Sequence, residues 1–139
     1  MHKFKFRLEN VLKFRRNEEV SAKELYREAQ AKVVEADLLR DEISRRRLLL
    51  LNRSNLSFEE RLAMQHYLEK LDSDEADVHV VMQILMQEEE TARQHWISAK
   101  QDLEALEKLR TKRYEEWVLE SSRAEQRDLD EWTTMRRAA

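Results

Sequence analysis

The chain has 139 residues, 40% of them charged and 41% hydrophobic, a formal net charge of −3, and not one Gly, Pro or Cys. The missing glycine and proline remove tight hairpins, phosphate-cradling loops and kinked helices, and the missing cysteine removes disulfides, thiolate metal sites and thiol redox chemistry. A slightly acidic balance gives no reason to expect nucleic acid as the main partner, and regularly spaced apolar residues at this level are too many for a disordered chain.

Leu, Glu, Arg, Lys, Ala and Gln dominate, the residues with the best helix propensity, and charges of mixed sign at short range are typical of long helices and coiled coils. The chain opens with the basic segment His2-Lys3-Phe4-Lys5-Phe6-Arg7. No apolar run of signal-peptide length follows it, and none of membrane-spanning length occurs anywhere. A soluble protein that meets a membrane only through partners is expected.

The first predicted arm covers residues 3–51. Alternating steps of four and three pick out Phe4, Leu8, Val11, Arg15, Glu18, Ala22, Leu25, Ala29, Lys32, Ala36, Leu39 and Ile43. Leu12, Tyr26 and Val33 lie one step to the side. This stripe is as narrow as a coiled-coil seam, with a polar gap at Arg15–Glu19 and small alanines at 22, 29 and 36 that allow close approach of a partner helix. Residues 52–57 are the poorest helix formers in the chain and predict the turn. Ser57-Phe58-Glu59-Glu60 then has capping-box spacing.

Asp72-Ser73-Asp74-Glu75 reads as a second helix start, with a capping side chain and acids in the first turn. A separate short helix over residues 58–71 is therefore expected. The run Arg45-Arg46-Arg47-Leu48-Leu49-Leu50-Leu51 covers more than one helix face, so its leucines are expected to be buried under that short helix. Otherwise they form a partner site with Phe58, Tyr67 and Leu71.

The last arm covers residues 75–136, with a stripe through Val78, Val81, Leu85, Glu88, Ala92, His95, Ala99, Leu103, Leu106, Arg110, Arg113, Trp117, Glu120 and Ala124. Met82, Trp96 and Tyr114 flank it. At 1.5 Å per residue the arms span on the order of 75 Å and 90 Å. The C-terminal part should then overhang and leave Trp117, Leu129 and Trp132 uncovered. The expected fold is all-α: a single-domain, long antiparallel two-helix coiled-coil hairpin with a short helix near the tip.

His66, His79 and His95 have no second His or Cys at i+3 or i+4, the spacing that a helical metal site needs, so no metal is expected. General acid–base work needs carboxylates paired in a desolvated cleft, and a two-stranded coiled coil has none. The chain reads as a non-enzymatic interaction protein without a cofactor.

Three motifs stand together. Phe4-x-Phe6-x-Leu8-x-x-Val11-Leu12, with Arg15 and Glu18-Glu19, opens the first helix. Leu103-x-x-Leu106-Glu107-x-Leu109 leads to Lys112-Arg113-Tyr114, and Glu125-Gln126-Arg127-x-Leu129-Asp130-Glu131 closes the last helix. Together they resemble the flagellar export protein FliJ family of the type III secretion machinery. The resemblance implies an antiparallel coiled coil similar to the central stalk subunit of rotary ATP synthases. It implies binding to the hexameric export ATPase, with the end that carries both termini entering the ring pore and promoting assembly and ATP hydrolysis. Contacts to the export gate membrane protein and to export chaperones are also implied. The chain would be cytoplasmic, peripheral at the inner face of the cell membrane, and monomeric or weakly self-associating. On this resemblance the ATPase contacts are Phe4, Arg7, Arg15, Arg113, Glu125, Gln126, Asp130 and Glu131. The gate or chaperone contacts are Leu48, Leu51, Phe58, Tyr67 and Leu71. A structural coiled-coil scaffold or homodimeric spacer with no ATPase partner is the competing reading.

Overall fold

The computed structural model describes residues 2–138, which form two α-helices, α1 (Glu9–Leu51) and α2 (Phe58–Ala138), and no strand. Contacts gather into two units. A terminal unit holds Met1–Val20 with Ile97–Ala139, and a turn unit holds Ser21–Trp96.

Within each unit the helices run antiparallel. In the terminal unit Glu9 accepts a 3.1 Å hydrogen bond from Arg110 Nε, and Arg16 lies 3.8 Å from Glu107, so rising numbers on α1 meet falling numbers on α2. In the turn unit Tyr26 meets Trp96, ring centroids 5.7 Å apart, and Arg47 meets Asp72 and Glu75.

The buried stripe of α1 follows the expected four-three rhythm at Arg15, Ala22, Ala29, Ala36 and Ile43, but its alternate positions differ by one residue. Leu12, Glu19, Tyr26, Val33 and Arg47 turn inward, whereas Val11, Leu25 and Leu39 are exposed. Leu12, expected at the side of the stripe, is fully buried at 0% exposure, against 42% for Val11. The same correction applies to α2. Met82, Glu89, Trp96 and Ser121 turn inward in place of Val81, Glu88, His95 and Glu120. A two-stranded seam has room for a single row. Tyr26 and Trp96 fill it opposite each other, a pairing that offers far more contact area than Leu25 with His95.

The separate short helix over residues 58–71 is absent, because α2 continues through Asp72-Ser73-Asp74-Glu75 without interruption. The inward row Met64, Leu68, Leu71, Glu75, Val78 and Met82 crosses this stretch in unbroken four-three steps. Continuous burial outweighs the propensity cost of Asp and Ser in a helix interior, about 0.5 kcal/mol each. Asp72 is also held at 2.8 Å by Arg47.

At its C-terminal end α1 closes with bonds from Asn52 N to Leu48 O (3.1 Å) and from Arg53 N to Leu50 O (3.2 Å). Asn55 then takes the left-handed conformation at φ 60°. In a chain without glycine, asparagine is the residue that reaches this region most readily. Ser57 Oγ accepts the Glu60 N–H at 3.2 Å, which caps α2.

At the other terminus α1 begins at Glu9 rather than near Lys3. A bond from Glu9 N to Phe6 O at 3.2 Å turns the preceding segment into the helix.

Candidate partner-binding surfaces

The antiparallel pairing that brings Glu9 to Arg110 also brings the segment before α1 against the next turns of α2. Phe4 lies edge-on to Tyr114, centroids 5.3 Å apart at 78°, and 6.0 Å from Trp117. Tyr114 and Trp117, one turn apart on α2, stack at 6.0 Å and 25°. The Arg110 guanidinium sits 5.5 Å above the Phe4 ring, while its Nε is held by Glu9. Ring contacts and a cation over an aromatic face fasten this non-helical segment without any backbone ladder.

Beside the cluster opens a groove of about 530 Å³, with Phe4, Phe6, Leu8, Leu109 and Trp117 forming apolar walls and Arg7 and Arg113 among the polar lining. Arg113 reaches Glu116 at 3.4 Å. Arg7 is exposed and makes no ion pair. Lys5, Glu116 and Glu120 complete the lining, so the groove suits a protein surface that offers an apolar side chain flanked by polar groups.

The structure thus brings Phe4, Arg7 and Arg113 together. Arg15 stands apart from them, half-buried and engaged by Glu18 at 2.9 Å and Asp102 at 3.5 Å. Glu125, Gln126, Asp130 and Glu131 are all exposed on α2, with Gln126 donating to Asp130 at 3.3 Å. At 100° per residue they spread over about 240° of the helix circumference, so no flat surface can touch them all. Leu129, Trp132 and Met135 are exposed on the same stretch, and the Arg136 guanidinium covers the Trp132 ring at 5.0 Å. Sequence reasoning put Trp117 on the seam stripe yet expected it to lie uncovered on the overhang; instead Phe4 packs on it and leaves it half-buried. The signal was an aromatic residue outside the helix, facing aromatic residues where the seam row loses its leucines.

In the turn unit Arg47 is the polar centre. It donates to Glu75 and to Asp72, and the Arg47 hydrogen bond pulls the Glu75 carboxyl below its usual range. The same hydrogen bond, accepted by Glu75, raises the Arg47 guanidinium above its ordinary value.

Of the leucines at 48–51 only Leu50 turns inward. Leu48, Leu49 and Leu51 are 60%, 72% and 56% exposed, and Phe58 is 76% exposed. The expected burial under a short helix does not occur, because continuous α2 offers α1 only one seam. Tyr67 is exposed and lines a small groove with Leu50, Arg53 and Leu56. Leu71 is 2% exposed and belongs to the seam, so its side chain is not part of the surface.

Among the described residues no group of three or more His, Cys, Asp or Glu is placed to hold a metal ion, and no helix is long and apolar enough to cross a membrane. No curated protein and no solved structure matches the chain significantly. A family model described as flagellar FliJ protein matches residues 4–139, from the aromatic Phe4 through the closing motif of α2. On that match, over nearly its whole length, the chain belongs to the FliJ family, a component of the flagellar protein export apparatus.

Proposed function

We propose that the chain binds the hexameric export ATPase through its terminal unit, promotes ring assembly and ATP hydrolysis, and links the ATPase to the export gate membrane protein and export chaperones through the turn unit. Membership of the FliJ family carries this reading. Two features of the terminal unit support it. The groove between Phe4, Arg7, Arg113 and Trp117 offers apolar walls with charged groups of both signs beside them. Residues 125–131 present contact groups around most of the α2 circumference, an arrangement that suits a ring enclosing the helix better than a partner lying on one side. In the turn unit, Leu48, Leu51, Phe58 and Tyr67 are the exposed contacts for the gate or chaperones. The chain itself supplies no nucleotide chemistry, and these partners hold it at the inner face of the cell membrane.

The test is steady-state ATP hydrolysis by the export ATPase of the same organism, with and without this chain. Turnover should rise with the intact chain. The rise should fall with Arg7→Glu/Arg113→Glu, and separately with Glu125→Lys/Asp130→Lys/Glu131→Lys. An ATPase that forms hexamers yet shows no stimulation would sink the proposal. Stimulation unchanged by both variants would sink the assignment of residues.

A structural spacer is favoured by one observation, the exposed Leu129, Trp132 and Met135. Light scattering distinguishes it, because a spacer dimer persists on dilution and a weakly self-associating adaptor does not.

A further inference from the structure

The turn unit ends in a segment whose chemistry is unlike the rest of the chain. From Ile43 to Phe58 there are four arginines and no acidic residue, within a protein of net charge −3. Among the described residues the same segment carries the two most exposed leucines, Leu49 and Leu48, together with the exposed Leu51 and Phe58.

The nearest carboxylates are mostly occupied. Glu42 is bound by Arg46 at 2.6 Å, and Asp72 and Glu75 are bound by Arg47. Glu59 and Glu60 lie in the first turn of α2, where the helix dipole answers their charge. Asp41, next to Glu42 and one turn before Arg45 on α1, has no ion pair. Arg45, Arg53 and Arg61 have no ion pair either, so three cations remain unanswered around the turn.

The placement of the apolar groups says what kind of surface would cover them. Ile43, Arg47 and Leu50 face the seam on α1. At 100° per residue Arg45, Leu48 and Leu49 therefore fall on the opposite side of that helix. On α2 the seam begins with Met64 and Leu68, which puts Phe58 and Leu62 on its outer side. Exposed apolar groups thus surround the turn, and cations lie among them. A protein groove reads one face of such an element. A fluid interface takes in all sides at once, accepting leucine and phenylalanine below the headgroups while arginine side chains reach back to lipid phosphates.

We propose that the turn, residues 45–62, docks end-on into the headgroup layer of an anionic lipid bilayer, with Leu48, Leu49, Leu51 and Phe58 inserted and Arg45, Arg53 and Arg61 on lipid phosphates. The docking goes beyond the function proposed above and is exclusive with the gate or chaperone contacts of Leu48, Leu51 and Phe58, since a side chain inserted in lipid is not open to a protein. It rests on that function only in placing the chain beside a membrane. Its test needs neither ATPase nor gate, so the two can fail separately.

The experiment is flotation of the full chain with phosphatidylcholine vesicles, with and without a phosphatidylglycerol fraction, at low and raised salt. The chain should float with the anionic vesicles at low salt and be released from them by salt. Arg45→Gln/Arg53→Gln/Arg61→Gln should weaken binding about a hundredfold, on the usual worth of a cation near an anionic surface. Leu48→Gln/Leu49→Gln should abolish flotation while the far-ultraviolet helix signal stays intact, because both side chains are exposed. Phe58→Trp should give a blue-shifted emission component, absent from the parent chain, with anionic vesicles alone. No flotation of the intact chain with anionic vesicles overturns the proposal and leaves the patch to a protein partner. Equal flotation on both vesicle types, or flotation unchanged in the arginine variant, also overturns it.

Discussion

Val11 and Leu12 are neighbours of similar size and apolarity, yet one is largely exposed and the other fully buried. Apolar residues at the alternate seam positions were evenly matched, with Leu12, Tyr26 and Val33 in one row and Val11, Leu25 and Leu39 in the other. Periodicity therefore could not choose between the rows. The choice depends on which residues of α2 stand opposite, Trp96 above all. Leu12→Ala should cost about 3 kcal/mol through loss of burial and the cavity left behind, while Val11→Ala should cost less than about 1 kcal/mol. Chemical denaturation of both variants checks this, and equal losses would refute the register. Glu75 gives a second residue-scale expectation. Its carboxyl titrates below the usual range when folded, chiefly through the Arg47 hydrogen bond, and at its ordinary value when unfolded. The pair's stabilisation is then fully present above that ordinary value and is lost as pH falls through the lower folded one. Arg47 stays charged throughout. Thermal melts should show the parent chain more stable than Glu75→Gln at neutral pH, with the gap narrowing in acid. A gap that does not change with pH would mean the charge of Glu75 contributes nothing.

Two serines show what governs the elements. Ser57 caps α2 through its Oγ bond to the Glu60 N–H, whereas Ser73, in a local sequence equally suited to capping, lies inside the helix. Ser57→Ala should therefore destabilise by about 1 kcal/mol, and Ser73→Ala should stabilise by a few tenths of a kcal/mol. Melting curves of the two variants should shift in opposite directions. A loss at Ser73 comparable to that at Ser57 would restore the helix break that the sequence predicts there. Both segments were legible as capping motifs, but only the one at Ser57 starts a helix. What a local motif cannot register is whether the seam row continues across it, and the row from Leu68 through Leu71 and Glu75 to Val78 does continue.

For the molecule as a whole, the two proposed surfaces lie in different units and differ in chemistry. Substitutions at Arg7 and Arg113 should reduce ATPase stimulation and leave vesicle binding intact, while those at Arg45, Arg53 and Arg61 should do the reverse. Measuring both activities on both variants checks this separation, and parallel loss in each would show that one surface serves both. By itself the sequence determined that the chain is helical, that it has two arms joined near residues 52–57, and that it resembles the export family whose model it matches. Those properties follow from composition, spacing and local motifs, which are written along the chain. The tertiary structure decided which row of each helix is buried, that α2 runs unbroken, that Phe4 closes on Tyr114 and Trp117, and that three of the four consecutive leucines remain outside. Each of these depends on what the opposite helix presents at the same height, which neighbours along the chain do not specify.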